Sequence, residues 1–581
     1  MSFTFTASAA DWGRIAPELV LTVFALLTLI VDLLLPVSPP VGAPLVGARP
    51  KDGGNFMVLP LLSLVGLLGA LAASIILFNL GDYLPAFNHM IGSDPGTLYA
   101  YFIILSASTL GILLSPAYLK RLNLLHQGEY YALMLLGTIG MMVMVAATSF
   151  LTIFLGLEML SLALYILCGF VMQRTTSRES SMKYFLLSSF ASAILLYGIA
   201  LTYGATGSTA FAGIRDYLLH RADLLHLLPG AHLPTPTLLL LGMGLLIVGF
   251  AFKVSAVPFQ AWTPDVYDGA PAPVTAFMSV GTKAAALIAF ARVFAIVFAP
   301  ITSDWLPIVW AIAVLTIVGG NILALVQSNV KRLLAYSSIA HAGYLLIGVV
   351  AGGAVGLSAI LFYLFCYTFL NLGAFGIVSV LERADNSGSR LSDIRGLWYR
   401  QPLLAGLLAF FMLSLAGFPP MAGFAAKYYI FYAALQSGHP ELLIIGVLAS
   451  VFGMYYYLRV IAAMFMEQQS AVQANDAVAT AAPTPTSASS RRVSSGKPGN
   501  GGRGNNGAAI AVAVKAPTTP LNKDKMAVVP ENAVEQPTIK GWTTWLALGV
   551  TMAGTLLMGT VLAYWLVNLA VYAVGVMMRV M

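Results

Sequence analysis

Apolar residues in this chain come in long unbroken stretches separated by short polar connections, and strict alternation of apolar and polar positions is not the pattern. Fourteen such stretches can be drawn, near residues 16–37, 57–80, 97–118, 130–149, 150–172, 182–204, 237–262, 271–298, 305–327, 333–352, 356–381, 402–437, 441–466 and 542–577. A helix needs about 20 mostly apolar residues to cross a hydrocarbon core. Runs this long and uninterrupted are not barrel strands, so the spans must be helices. The pattern predicts an all-α polytopic membrane protein of about 14 transmembrane helices. The division between the fourth and fifth spans rests on length, because 130–172 is too long to cross once.

Two spans read as broken. The seventh carries Pro258 after Lys253, within FKVSAVPFQAW. The twelfth would measure about 54 Å as one straight helix, and Gly417, Pro419, Pro420 and Gly423 lie inside it. Proline removes backbone hydrogen bonds, and irregular backbone at membrane depth is tolerated only inside protein or along a wet cavity. A simple proline kink explains either span alone. Two breaks, each close to a lysine, point instead to a transport site between repeats.

The polar intervals set orientation. Lys and Arg gather on the cytoplasmic side of membrane proteins. With the N-terminus outside, the inner connections hold 21 Lys and Arg against four outside, Arg14, Arg215, Arg221 and Arg579. Both termini are therefore expected on the outer face. Residues 13–32 read as a full-length first span rather than a cleavable leader. Residues 468–540 lack Phe, Trp and Tyr and run through PTPTSASSRRVSSGKPGNGGRGNNG, which predicts a disordered cytoplasmic linker. Its GGRGNNG follows no strand and opens no helix, so a phosphate loop is not expected there.

Composition narrows the class further. Only 9% of the 581 residues are charged and 59% are hydrophobic, whereas soluble chains carry about 25% charged residues. The net charge of +7 follows from the inner loops and needs no nucleic acid. Cys168 and Cys366 lie in separate apolar runs and no CxxC occurs, which argues against disulfides, iron–sulfur ligation and structural zinc. His220, His226 and His232 recur every six residues in an outer connection, a spacing that does not suit helical metal ligands. Gly242, Gly244 and Gly249 suit close helix packing.

Four charges stand out inside the spans: Glu158 in the fifth, Lys253 in the seventh, Lys283 in the eighth and Lys427 in the twelfth. Intramembrane ionisable groups are costly and mark function by default. A packing ion pair would explain Glu158 with one lysine and leave two lysines without a carboxylate. Burial disfavours a lysine's charged form and lets it bind and release protons. A Glu–Lys pair followed by further lysines thus makes a proton relay with an electrostatic gate. His341 is either a packing histidine or a relay between Lys283 and Lys427. Lys183 and Glu179 are spaced as a helix-end ion pair, and the pair would also modulate Glu158.

The motifs FLGLEMLSLALYIL, KYFLLSSFASAILLYG, FKVSAVPFQAWTPDVYDGAPAPVTAFMSVGTKAA, NVKRLLAYSSIAHAGY and LAGFPPMAGFAAKYY follow one another in an order that resembles the antiporter-like membrane subunits of bacterial NADH:quinone oxidoreductase, respiratory complex I. The resemblance covers roughly 130–466. Fourteen spans and the opening RIAPELVLTVFALLTLIVDL resemble the N-type branch, whose equivalents are the second mitochondrial NADH dehydrogenase subunit and its plastid counterpart. The L-type branch would add a lateral helix, and the M-type would place a glutamate at Lys427. The linker departs from the compact family pattern.

The resemblance implies an N-terminal three-helix segment over 1–129 and two inverted five-helix repeats over 130–298 and 305–466, with broken helices at spans seven and twelve. A last helix would occupy 541–581. It implies Glu158 and Lys253 as the gating pair, Lys283 and His341 as the central connection and Lys427 as the exit-side lysine. It also implies no cofactor on this chain, with quinone, FMN and iron–sulfur clusters in partner subunits. Those partners would be the M-type and K-type membrane subunits, their neighbours and a peripheral redox arm, all at a bacterial inner membrane. Two alternatives stay open: a D-type subunit of a multi-subunit Na⁺/H⁺ antiporter, which shares these motifs, and a membrane scaffold whose buried charges only lock helices together.

Overall fold

The computed structural model describes residues 8–35, 54–122, 124, 127–227, 235–383, 385–466, 539 and 541–580. The linker expected over 468–540 lies outside the described residues except for Ile539. After a short capped helix α1 (Ala9–Arg14), eleven of the expected spans follow as single helices or nearly so. They are α2 (Ala16–Leu34), α3 (Val58–Leu80), α4 (Pro95–Arg121), α5 (Gly128–Ala146), α6 (Phe150–Cys168), α7 (Thr175–Thr206), α9 (Thr237–Val254), α11 (Ala272–Arg292), α12 (Thr302–Leu325), α13 (Val330–Ala351) and α14 (Gly353–Leu381). A five-residue π-helical segment, Val293–Val297, extends α11. Among the described residues twelve helices are long and apolar enough to cross a membrane, the twelfth being α18 (Pro440–Phe465). The connection between the sixth and seventh spans, where the histidines recur, contains a helix of its own, α8 (Phe211–Leu227).

Caps explain several of the helix starts. Asp94 accepts from the Thr97 amide at 2.9 Å ahead of Pro95, and Asn329 accepts from the Lys331 amide at 2.8 Å. Both are side-chain oxygens satisfying first-turn donors. Ser149 does the same for α6, which fixes the division between the fourth and fifth spans.

Helix α11 is buried along its whole length, and α13 and α14 nearly so. The surrounding helices present bulky apolar faces outward, such as Phe185, Phe190 and Tyr197 on α7 and Val451, Phe452 and Tyr455 on α18. Such faces suit lipid rather than water.

Both expected breaks are present. Helix α9 ends at Val254 and α10 (Trp262–Gly269) begins after seven residues of irregular chain, with a left-handed Ser255 at φ 64°. In the second, α16 (Pro402–Ala416) stops at Gly417, φ 92°, and α17 (Ala422–Gln436) resumes beyond Met421. The short α15 (Leu397–Arg400) precedes them. Each break closes with the same six-residue cap bond, Ala256 N–H to Ala251 O at 2.8 Å and Phe418 N–H to Leu413 O at 3.1 Å. This is the Schellman arrangement, which ends a helix while satisfying its last carbonyls.

The fourteenth span is a correction. It is not one helix over 542–577 but two, α19 (Trp542–Gly559) and α20 (Ala563–Val580), meeting at 82°. Helix α20 buries Leu566, Ala570, Ala573, Val574 and Met577 and exposes Tyr564, Trp565 and Tyr572. Its apolar stripe is one-sided, and the uninterrupted apolar run in the sequence hides that.

Candidate functional site

The four internal cations expected of a relay, Lys253, Lys283, His341 and Lys427, are all buried, with 2–8% of their surface exposed. Lys253, in the last turn of α9 before the first break, donates to Ser161 Oγ at 2.7 Å and Ser188 Oγ at 2.6 Å. Its amine stands over the Tyr184 ring, 5.9 Å from the centroid. Ser161 is one turn along α6 from Glu158. Glu158 itself is half-buried, its Oε1 is enclosed without a hydrogen-bond partner, and among the described residues it makes no ion pair within 4.0 Å. Among the described residues Glu158 and Lys253, the expected gating pair, are thus not in direct contact, and two serine hydroxyls satisfy the amine without a carboxylate.

Lys283 lies mid-way along α11. Its amine donates to the Ser338 carbonyl at 2.7 Å and to the Ser338 hydroxyl, over the Tyr267 ring at 6.0 Å. Ser337, the next residue, is hydrogen-bonded to the Tyr457 hydroxyl, which also reaches His341 Nε2 at 3.2 Å. His341 Nδ1 is hydrogen-bonded to Tyr363 at 2.6 Å. Hydroxyls thus stand at both ends of the interval, Ser338 at Lys283 and Ser337 with Tyr457 at His341, on adjacent residues of α13. Tyr344 then lies edge-on to His341, with ring centroids 5.9 Å apart, and under the Lys427 amine at 5.4 Å. Lys427 donates to the Ala416 carbonyl at 2.9 Å, a carbonyl at the end of α16 where the helix stops.

Lys183 sits apart from these groups. Its amine pairs with Glu179 at 2.8 Å, as the i,i+4 spacing predicts, and with Asp265 of α10 at 2.9 Å. Arg332 of α13 holds the other oxygen of Asp265 at 2.9 Å. Burial raises the Asp265 carboxyl, but the hydrogen bonds from Lys183 and Arg332 outweigh it and hold it below the ordinary carboxylate range. A depressed carboxyl contributes stability above its unfolded value and loses it only as pH falls through the folded one. This bridge from α7 through α10 to α13 is accordingly expected to persist near neutrality and to open only under strong acid, below about pH 4. Crosslinking between cysteines placed on α10 and α13, followed across pH, measures that.

Several groups escape the sequence reading. Ser188, Tyr363 and Tyr457 are ordinary residues in apolar spans until the fold brings them to a lysine or histidine. Arg174 and Lys331, read as inner-loop charges, are buried and converge on Glu382. Arg174 is paired with Glu382 Oε1 and Lys331 reaches Oε2 at 3.3 Å, while Tyr118 donates to Oε1 at 2.8 Å. Arg292 pairs with Asp94 at 2.7 Å, both nearly inaccessible. An arginine inside the eighth span was the signal available for that pair. Among the described residues no group of three or more His, Cys, Asp or Glu is placed to hold a metal. His220 bonds the Asp216 carbonyl at 2.8 Å, and His232 lies outside the described residues.

The serine cradle gives one prediction. Replacing Ser161 and Ser188 together by alanine leaves a buried ammonium without its two acceptors, each worth about 1.5–3 kcal/mol to a charged donor. If Lys253 carries protons, vesicle acidification by the double variant should fall about tenfold at unchanged assembly, with each single variant intermediate.

Comparison with known proteins places the chain. A family model described as NADH:quinone oxidoreductase/Mrp antiporter, transmembrane, matches residues 147–453. The chain is 44% identical over 453 residues to NADH-quinone oxidoreductase subunit N of Trichlorobacter lovleyi, covering 78% of this chain and 87% of the relative. It is 42% identical over 478 residues to subunit N 1 of Herpetosiphon aurantiacus, covering 82% and 92%. Among solved structures, a chain of respiratory complex I from Thermus thermophilus aligns with a TM-score of 0.62 at 32% identity, over 78% of this chain and 91% of that one. A chain of the Mrp complex from Dietzia sp. aligns with a TM-score of 0.71 at 19% identity, over 98% and 99%, which is a likeness of fold alone. The chain belongs to the NADH:quinone oxidoreductase/Mrp antiporter transmembrane family, and within it to the N subunits of NADH-quinone oxidoreductase, proton-translocating membrane subunits of that translocase.

Proposed function

We propose that protons cross this chain through Lys253, Lys283, His341 and Lys427, with Glu158 as the electrostatic gate on Lys253. The observation that carries the reading is a pair of hydroxyl contacts on adjacent residues of α13, Ser338 at Lys283 and Ser337 with Tyr457 at His341. Hydroxyls both donate and accept, so they pass a proton along without changing their own charge. Lys427 lies where α16 stops and leaves the Ala416 carbonyl outside its own ladder, and Lys253, at the other break, lies against serine hydroxyls of α6 and α7. That environment accepts an ammonium and also lets it deprotonate.

The charge on Glu158 biases whether the proton on Lys253 stays or moves on. Lys183, bonded to Glu179 and Asp265, acts at the margin of the relay by holding α10, whose Tyr267 underlies Lys283. The two breaks occupy corresponding places in 130–298 and 305–466, which supports reading these ranges as inverted repeats after a three-helix segment and before the C-terminal helices.

In this reading the redox chemistry belongs to other subunits. Quinone, FMN and iron–sulfur clusters sit in partners, with M-type and K-type membrane subunits as neighbours, and quinone reduction drives the relay as an electrostatic or conformational bias. The complex lies in a bacterial inner membrane, with both termini of this chain on the outer side. The test is NADH-driven acidification of inverted membrane vesicles in sodium-free and sodium-containing media. Equal rates, collapsed by a protonophore, fit proton transfer. A strict requirement for sodium would refute it in favour of cation exchange.

A further inference from the structure

The C-terminal helix pair touches the second break at one place. A Cβ built on Gly559, the last residue of α19, would fall on the Pro420 carbonyl oxygen, 2.6 Å from the Met421 carbonyl carbon and 2.7 Å from the Ala422 nitrogen. All three are backbone atoms, so no side chain can swing aside, and only glycine fits. Pro420 and Met421 lie in the irregular chain that joins α16 to α17, and Ala422 opens α17.

The position of this contact matters because of what the break holds. The bond from the Lys427 amine to the Ala416 carbonyl closes a loop of eleven residues, and Gly559 presses on the chain inside that loop. The stem of Lys427 lies across Gly417, whose Cβ would be 3.1 Å from Lys427 Cδ and 3.3 Å from Nζ. A displacement of 420–422 therefore moves the helix carrying the lysine relative to the carbonyl that receives it.

Helix α19 is also anchored on either side of this contact. Gly554 lies against the Phe369 ring of α14, where a Cβ would come within 2.5 Å of Cδ1. Beyond the 82° bend, Met577 of α20 accepts from Arg292 Nη2 at 3.4 Å, beside Asp94. The pair runs as a strap from the break to the Arg292–Asp94 ion pair, so Gly559 cannot back away freely.

We propose that Gly559 is a positioning residue for proton transfer at Lys427, acting by setting the distance between the Lys427 amine and the Ala416 carbonyl. The inference rests on the relay reading above. In it, α19 is the back wall of the second break, and a side chain at 559 opens the loop that the lysine closes.

The test compares Gly559→Ala and Gly559→Val with Gly549→Ala, on the same helix, where a Cβ meets nothing within 4 Å, and with Lys427→Met. Whole complexes in inverted vesicles are matched for assembly. NADH-driven acidification is measured in H₂O and D₂O. Gly559→Ala should slow acidification about tenfold, Gly559→Val more, and both should raise the solvent isotope effect because the proton step becomes limiting; Gly549→Ala should match the native protein. Assembled Gly559 variants with native rates and native isotope effects would overturn the proposal. Failure of Gly559→Ala to assemble, with Gly549→Ala assembled, would also overturn it by making the contact a structural seam alone. If Lys427→Met itself acidifies normally, the relay reading fails, whatever the glycine variants do.

Discussion

Lys283→Met is expected to abolish proton translocation by this chain while leaving the complex assembled and the fold at least as stable. The two halves of that expectation have separate causes. Lys283 is 2% exposed, and its bonds go to the backbone and hydroxyl of a single serine, with no ion pair to a carboxylate among the described residues. Burying a charge on those terms costs free energy. A methionine of similar length removes the cost, and replacing buried charge by well-packed apolar volume is often neutral or stabilising by about 1–4 kcal/mol. A proton relay cannot survive the same change, because methionine has no site for the proton. Thermal unfolding of the purified complex, read beside vesicle acidification, separates the effects. Impaired assembly with residual pumping would mean that Lys283 is structural.

Glu382→Ala is expected to do the reverse. Glu382, just past the end of α14, is the common partner of Arg174, Lys331 and Tyr118. Burial pushes its carboxyl up, and Lys331 and Arg174 bring it down further, below the ordinary range. It is therefore ionised near neutrality, and its contribution to stability is lost only as pH falls through the carboxylate range. Deleting it leaves two buried cations, Arg174 and Lys331, without their shared carboxylate. Breaking a buried pair in this way costs about 3–5 kcal/mol, a large share of a domain's margin of about 5–15 kcal/mol. The variant should accumulate poorly in the membrane, and the amount of assembled complex on native gels measures this. Normal assembly with defective pumping would instead move Glu382 into the transport machinery.

These two residues also mark what the sequence can tell and what it cannot. Lys283 stands out because a lone cation in an apolar run has few ordinary explanations. The breaks stand out because Pro258, Pro419 and Pro420 interrupt runs that otherwise read as helix. Glu382, Arg174 and Lys331 lie at span ends, where a charge is unremarkable, and only the packing of α4, α7, α13 and α14 reveals them as buried. Ser188, Tyr363 and Tyr457 carry no charge; a serine in a span bonds back to its own helix as a rule, and a tyrosine there reads as packing. The bend after Gly559 is hidden for a related reason. The apolar run continues through 560–562, and the one-sidedness of α20 depends on what packs beneath it.

The same contrast explains why charge counting does not settle the gate. The resemblance implies Glu158 and Lys253 as a gating pair, whereas Ser161 and Ser188 take the amine, and Glu158 lies one turn along α6 from Ser161. An electrostatic influence acts across such a gap, but the energy of a direct contact does not. The proposed gate therefore acts through charge state rather than through a bond being made or broken.

The most direct measurement of the central claim is NADH-driven acidification of inverted vesicles by Glu158→Gln and Lys427→Met at equal assembly. These residues stand at opposite ends of the proposed relay, and a route through it would need both. Loss of acidification in both variants is the predicted result. Native rates in both would show that protons do not pass this way.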